Sequence, residues 1–304
     1  MLRGLHTATA GMITEQRKHD AITNNIANIN TAGYKSQAPA VRSFPEMLIS
    51  LMHNKEDVPR REIGRLNTGV MVEENVPVFT QGDLVETGNA GDIALFANLR
   101  LYEEVDGEQV ELRFDASGKA VNANGEIVYQ PQAFFTLINE EGERRYTRNG
   151  EFRIGFDGTL QSADGLRVLN QMNEPIQLNQ PLEQVRITSD GRLVDAESGE
   201  WLTDEFGAPI RIQISQINNP YDLRREGNGL FRLENEEADP PIMIEDFANV
   251  ELKQGFIERS NVDAGKMMVE LNTVLRAYEA NQKVIQFYDR SLDKAVNEIG
   301  RIHG

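Results

Sequence analysis

The chain of 304 residues has no cysteine, a single tryptophan and only four histidines. The first absence excludes disulfides and thiol chemistry, although it identifies no compartment. The histidines, His6, His19, His53 and His303, form no metal-binding spacing, and His6 and His19 stand too far apart on one helix to share an ion. HExxH, GxSxG, GxxxxGK[ST] and paired-cysteine frames are missing, so neither enzyme activity nor a cofactor or metal is expected. No apolar run reaches the ~18 residues of a membrane span. No cleavable secretory signal is expected either, because Thr7, Thr9, Thr14 and Glu15 break up any apolar stretch. Basic charge is also scarce: 31 Lys and Arg face 48 Asp and Glu, a net charge of −17. Residues 1–35 and 266–304 carry +2 and +1, which leaves −20 on the stretch between them. Such an acidic body argues against nucleic acid and anionic lipid, whose binding requires Lys and Arg.

What the sequence does contain is organised around its last forty or so residues. Leu271, Tyr278, Ile285, Leu292 and Ile299 recur every seventh residue, followed three positions later by Val274, Asn281, Tyr288, Ala295 and Ile302. A heptad stripe with one polar member, Asn281, predicts a long helix that needs an apolar partner, in another chain or within its own domain. Ser260 with Asp263 three residues on reads as a capping box at its start.

The opposite end supplies a second helix. Met1, Leu5, Ala8, Met12, His19, Ile22, Ile26 and Ile29 keep the same alternation of three and four, interrupted at Glu15. The pattern ends in NNIANINTAGYK, where Asn24, Asn25, Asn28 and Asn30 lower helix propensity and Gly33 offers a C-terminal stop. Helical ends around a non-helical middle imply a discontinuous domain.

Between the helices the pattern changes twice. Residues 36–79 read as a connector, with a short helix or extended piece over 44–52 and an exposed charged loop after it. From about Val70 onward, short alternating segments such as VMVEENVPVF, AFFTLI, EFRIGF and IRIQIS are separated by NAGD, NANGE, RNGE, FDGT and SDGR turns. These predict an antiparallel β domain, a sandwich or partly closed barrel. The Asp-Gly turns lack the frame and closing Glu of a calcium loop. Trp201 is expected to pack in the β domain, and residues 216–263 to return the chain to the last helix.

Several blocks carry a resemblance. LHTATAGM (5–12), NNIANINTAGYK (24–35), TQGDLVETGNAGDIAL (80–95), YTRNGEF with DGTLQSADGLRVL (146–169), NPYDLRREGNGLF (219–231), QGFIERSNVD (254–263) and LRAYEANQKVIQFYD (275–289) appear in the order found in bacterial flagellar axial proteins of the rod and hook. Taken together the chain resembles the distal-type rod proteins of the hook–basal body. It departs from them at 96–132, which looks like an inserted hairpin or small β subdomain and leaves its position along the rod open.

The expected fold class is therefore α+β. Residues 1–35 plus 264–304 would form a discontinuous coiled-coil-like assembly domain, 36–79 plus 216–263 would connect, and 80–215 would form the central β domain. The resemblance implies a structural subunit of the flagellar basal-body rod, polymerising through its terminal helices into a torque-transmitting tube. It further implies self-association, contact with other rod and hook proteins, and passage through the flagellar type III export apparatus without a cleaved signal. The expected assembly residues are Leu5, Met12, Ile22, Asn24, Asn25, Ile26, Asn28, Leu271, Tyr278, Ile285, Tyr288 and Leu292. In a lone subunit both helices should be frayed for want of partner surface. The alternatives are a hook or rod–hook junction subunit and, in a different class, a secreted β-rich wall-binding module or enzyme.

Overall fold

The structure, a computed structural model, describes residues 2–51, 61–105, 108–115, 118–204, 207–234, 236–237, 239–245 and 247–299. The fold is α+β with mostly antiparallel sheets and a helix at each end of the sequence. It divides into two compact units, one made of 1–27, 37–77 and 262–304, the other of 28–36 and 78–261.

The first unit holds helix α1 (Leu2–Ala27), strands β1 (Gln37–Ser43), β2 (Met47–Leu51), β3 (Arg61–Leu66) and β4 (Val70–Pro77), and helix α2 (Ala264–Ile299). β1 pairs antiparallel with β4 and β2 with β3, so 37–51 runs out and 61–77 runs back as a two-stranded ribbon. The short helix allowed over 44–52 is therefore not formed. A segment this short is a poor isolated helix, whereas pairing with Arg61–Leu66 satisfies its backbone groups. Of the exposed loop expected over 55–67, residues 55–60 lie outside the described residues and Arg61–Leu66 is strand β3 instead, paired with Met47–Leu51. α1 lies along β4, with the Thr14 hydroxyl donating to the Val70 carbonyl at 3.2 Å and Arg17 Nη1 to Val72 at 2.8 Å.

α1 and α2 meet in an antiparallel register. A Cβ on Gly4 would strike the Tyr288 hydroxyl, and one on Gly11 would lie 3.1 Å from Asn281 Nδ2. Further along, Asn25 Nδ2 reaches Met267 Sδ at 3.8 Å. Each seven-residue step up α1 is thus matched by a seven-residue step down α2. Glycine inside a helix costs about 1 kcal/mol relative to alanine, and here it is offset by the close approach that the missing side chains permit. The seam of α2 accordingly has a partner in its own chain, and both ends are helical in the single subunit rather than frayed. The cap of α2 is Asp263, whose Oδ1 accepts from the Lys266 amide at 3.0 Å. Ser260 lies too far upstream of Ala264 to reach that turn, so the capping box is corrected by three residues.

The second unit is built on a sheet that holds nine strands among the described residues. Its central strand, Gln132–Ile138, pairs with Arg144–Thr147, Arg167–Val168 and Ile214–Ile217. Phe135, Leu137, Ile93, Leu95, Leu160, Ile176, Leu193 and Ile212 fill the core beneath it, each less than 2% exposed. Residues 216–263, read from sequence as connecting apart from a strand at LFRLE (230–234), supply sheet strands Leu223–Gly227 and Leu230–Leu233. The stretch 96–132 contains two hairpins, Tyr102–Val105 with Glu108–Glu111 and Lys119–Val121 with Ile127–Tyr129. Trp201 is not a packing residue: it is 46% exposed, with the Arg192 guanidinium 5.3 Å above its ring. Its strand partner is a single bridge to Val194, which leaves it beside the separate hairpin of Val185–Ile187 and Leu193–Asp195.

Candidate functional site

The residues expected to mediate assembly fall mostly on the inward face of the helix pair. Ile22 is buried, while Leu5, Met12 and Ile26 are half-buried. On α2, Leu271, Tyr278, Ile285, Tyr288 and Leu292 are half-buried on the heptad face that carries Tyr288 and Asn281 towards Gly4 and Gly11. Of the three asparagines, Asn25 is buried and engaged inside the subunit. Its amide nitrogen donates to the Gln37 carbonyl at 2.8 Å and its oxygen accepts from the Gln37 amide at 2.9 Å. Its side chain thus holds the start of strand β1 to the end of α1 within the subunit. Asn28 is half-buried and accepts from the Thr31 hydroxyl at 3.3 Å, and Asn24 is exposed.

Sequence reasoning missed the residues beside the stripe. Met268, Leu275 and Val296 occupy one flanking heptad position of α2, and Val284 the other; all are exposed, as is Phe287 at 69%. In a self-sufficient helix pair these flanks are usually Glu and Lys. Apolar flanks were the available signal that the pair has more surface to bury.

The second unit contains a buried ionic cluster. Lys35, Arg148 and Glu258 are all buried. Glu258 Oε1 accepts from Lys35 Nζ at 2.5 Å and from the Gly82 amide at 2.9 Å, and Oε2 accepts from Arg148 Nε at 3.1 Å. Lys35 Nζ also donates to the Thr80 carbonyl at 2.8 Å. Arg148 completes its fork with the Ala133 carbonyl at 2.8 Å and Gln81 Oε1 at 2.6 Å. The backbone joins in, since the Gly33 amide donates to the Glu258 carbonyl at 2.7 Å. Two cations therefore share one carboxylate. Burial, followed by the repulsion of Arg148, holds Lys35 down to about 8 despite the pull of Glu258. Burial alone would push Glu258 up, but Arg148, Lys35 and the Gly82 amide bring it below the ordinary carboxylate range.

A pH dependence follows from the sign of the lysine shift. The unfolded chain keeps its Lys35 proton up to the ordinary value of 10.5, whereas the folded chain releases it near 8. Between those values the unfolded state binds more protons, so stability rises with pH, by at most about 1.4 kcal/mol per unit. Below pH 8 the full penalty is present. Urea unfolding of the wild type from pH 7.5 to 10 should show this rise relative to Lys35→Met, which carries no titrating group there.

Asn261 ties together residues beside the points where the chain passes between units. Its Oδ1 accepts from the Ser36 amide at 2.7 Å, and its Nδ2 donates to the Val78 carbonyl at 2.8 Å. Val78 in turn donates its amide to Ser36 at 2.8 Å. Four of the sequence blocks quoted above, GYK, TQGD, YTRNG and QGFIERSN, thus converge on one hydrogen-bonded cluster. Among the described residues no group of His, Asp or Glu is placed to hold a metal ion, and no helix is long and apolar enough to cross a membrane.

Comparisons with known proteins agree with these features. Residues 5–35 match a family model described as flagella basal body rod protein, and 130–194 match the flagellar hook protein FlgE/F/G D1 domain. Residues 253–298 match the flagellar basal body rod FlgEFG protein C-terminal model. The chain is 34% identical to the flagellar hook-basal body complex protein FlhO of Bacillus subtilis (strain 168), covering 99% of this chain and 100% of that protein. It is 29% identical to the flagellar basal-body rod protein FlgG of Agrobacterium fabrum over 95% of this chain and 96% of the relative. The FlgG protein of Bacillus subtilis (strain 168) is 27% identical over 98% and 99%.

Proposed function

The chain belongs to the bacterial flagellar rod and hook family of hook–basal-body proteins, and from that premise we propose that it builds the rod through the outer flanks of its helix pair. It is a structural subunit of the flagellar basal-body rod. The two helices pair as a coiled coil within each subunit, and that pair, with the ribbon 37–77, is the assembly domain. The observation that carries this reading is the set of exposed apolar residues on either side of a seam already filled from within the chain, Met268, Leu275 and Val296 on one side and Val284 with Phe287 on the other. Burying such side chains against neighbouring subunits contributes about 1.5–3 kcal/mol for each large one, which favours the polymer over the monomer. The half-buried stripe Leu271, Tyr278, Ile285, Tyr288 and Leu292 shapes the pair that presents these flanks, together with Leu5, Met12, Ile22 and Ile26. Neighbouring subunits are further copies and other axial proteins of rod and hook. Delivery proceeds through the flagellar export apparatus without removal of an N-terminal signal.

The test is complementation of a deletion strain, followed by immunogold labelling of purified hook–basal bodies. The wild-type chain should label the rod and restore motility. Val284→Glu with Phe287→Glu should leave a folded chain, read by circular dichroism, whose incorporation falls at least tenfold. Normal incorporation of that variant would reject the flank as the interface, and label confined to the hook would move the subunit one segment outward.

A further inference from the structure

We infer that α2 carries a basic strip and an acidic strip side by side, and that the basic strip of one copy docks on the acidic strip of the next. The contact rests on the rod reading and specifies which faces meet. Two adjacent heptad positions on the outside of α2 hold Lys266, Arg276, Lys283, Arg290 and Lys294, with Val269 and Phe287 and no Asp or Glu. The next two positions round the helix, which lead back to the seam, hold Glu279, Asp289 and Asp293. They also hold Met268, Leu275 and Val296, and no Lys or Arg. All eight charged side chains are exposed, as are the five apolar ones. On the opposite side of the basic strip, Glu270 and Glu298 stand towards the two ends of α2, away from its centre.

A helix face meant only for water mixes its signs, so that Glu and Lys pair along it. α2 has the spacing for such pairs, with Glu279 three residues after Arg276 and four before Lys283. Yet among the described residues none of the eight charged side chains has an ion-pair partner in its own chain. Asp293 accepts instead from Asn297 Nδ2 at 2.6 Å. The charges are thus left for a partner, and a second copy brings the complement at the same spacing. Arg276 to Arg290 and Glu279 to Asp293 cover equal lengths of helix, about 21 Å each. A parallel neighbour displaced by about 4.5 Å, three residues of helix rise, sets Arg276, Lys283 and Arg290 against its Glu279, Gln286 and Asp293. Opposite charges then decide which sides meet and in what register, while the apolar residues of both strips are buried between them. The strip centres lie about 100° apart round the helix, so each copy engages one neighbour with each strip. That contact is heterologous and propagates as an open series.

Two full-length variants test the contact in the deletion strain. One carries Arg276→Glu, Lys283→Glu and Arg290→Glu, and the other Glu279→Lys, Asp289→Lys and Asp293→Lys. All these positions are exposed and the new residues are good helix formers, so circular dichroism of each purified chain should match the wild type. Expressed alone, each variant should enter purified basal bodies about tenfold less than the wild type, because its two strips now have the same sign. Expressed together, both should enter to within about threefold of the wild type, since each offers the sign the other has lost. Incorporation of either variant alone at the wild-type level would overturn the contact, as would exclusion of the pair. A second measurement leaves the charge pattern almost intact. The chain has no cysteine, so Lys283→Cys and Gln286→Cys on separate co-expressed chains report their proximity without background. A short bifunctional maleimide should give a mixed dimer in basal bodies, and homodimers alone or no dimer would also overturn the contact. These failures leave the rod reading standing; it falls only if the wild-type chain is absent from basal bodies.

Discussion

Replacing Glu258 with alanine is expected to destabilise the β unit by about 3–5 kcal/mol, the usual cost of removing one partner from a buried ion pair. The carboxylate accepts from Lys35, Arg148 and the Gly82 amide, so its loss strands two cations and a backbone donor in a site without water access. Lys35 can shed its proton, but Arg148 cannot. The deficit should therefore be larger at pH 6 than at pH 9, where Arg148 is left as the one buried cation of the cluster. Glu258→Gln keeps an acceptor oxygen for one donor while turning an amide group towards another, and should fall between wild type and alanine. Denaturant unfolding of the purified full chain at the two pH values checks all of this. A loss below about 1 kcal/mol for the alanine variant would mean that the cluster is hydrated and not a sealed ionic core.

Gly33→Ala should be nearly as damaging, for a different reason. Gly33 has φ +66°, where an L-residue costs about 1–2 kcal/mol. In addition, its Cβ would lie 2.5 Å from the carbonyl carbon of Arg148 and the amide nitrogen of Asn149. Those are backbone atoms and cannot swing aside, so the loop 28–36 must shift. That shift pulls the Gly33 amide off the Glu258 carbonyl and disturbs Lys35 two residues on. Gly165→Ala is the control, because Gly165 has φ +84° with nothing near its Cβ. The expected result is a markedly lower thermal midpoint for Gly33→Ala than for Gly165→Ala. Equal losses would show that conformation alone, and not the close approach, makes Gly33 necessary.

The parts of this fold that were legible in sequence are those written in local periodicity. The heptad from Leu271 and the Gly- and Asn-rich turns between 88 and 199 specify their elements within a few residues, and α2 and the antiparallel sheet follow them. The N-terminal helix was legible as the partner of the α2 seam, but its register was not, because the close approaches at Gly4 and Gly11 carry no apolar signal. Two glycines seven apart inside a helix were nevertheless a clue, since such residues weaken a helix unless something packs against them. Strand Val70–Pro77 was legible, but β1 and β3 were not read as strands, because a Pro in β1, a Gly in β3 and scattered charges leave no clear alternation. Lys35, Arg148 and Glu258 were not anticipated as a cluster at all. Each reads as an ordinary surface charge, and only long-range pairing across 110 and 223 residues makes them a core. Tertiary contacts of that separation leave no periodic trace.

The order in which these contacts become available has a consequence for fragments of the chain. The ionic cluster in one unit closes between Lys35 and Glu258, 223 residues apart, and the helix register in the other includes Asn25 and Met267, 242 apart. In each case the partner nearer the start must wait for a residue near the finish. A polypeptide lacking the stretch after Lys253 would present an open β unit and an unpaired α1. It would lack α2 and the carboxylate of the buried cluster together. A fragment that stops before Glu258 would therefore lack both closures at once.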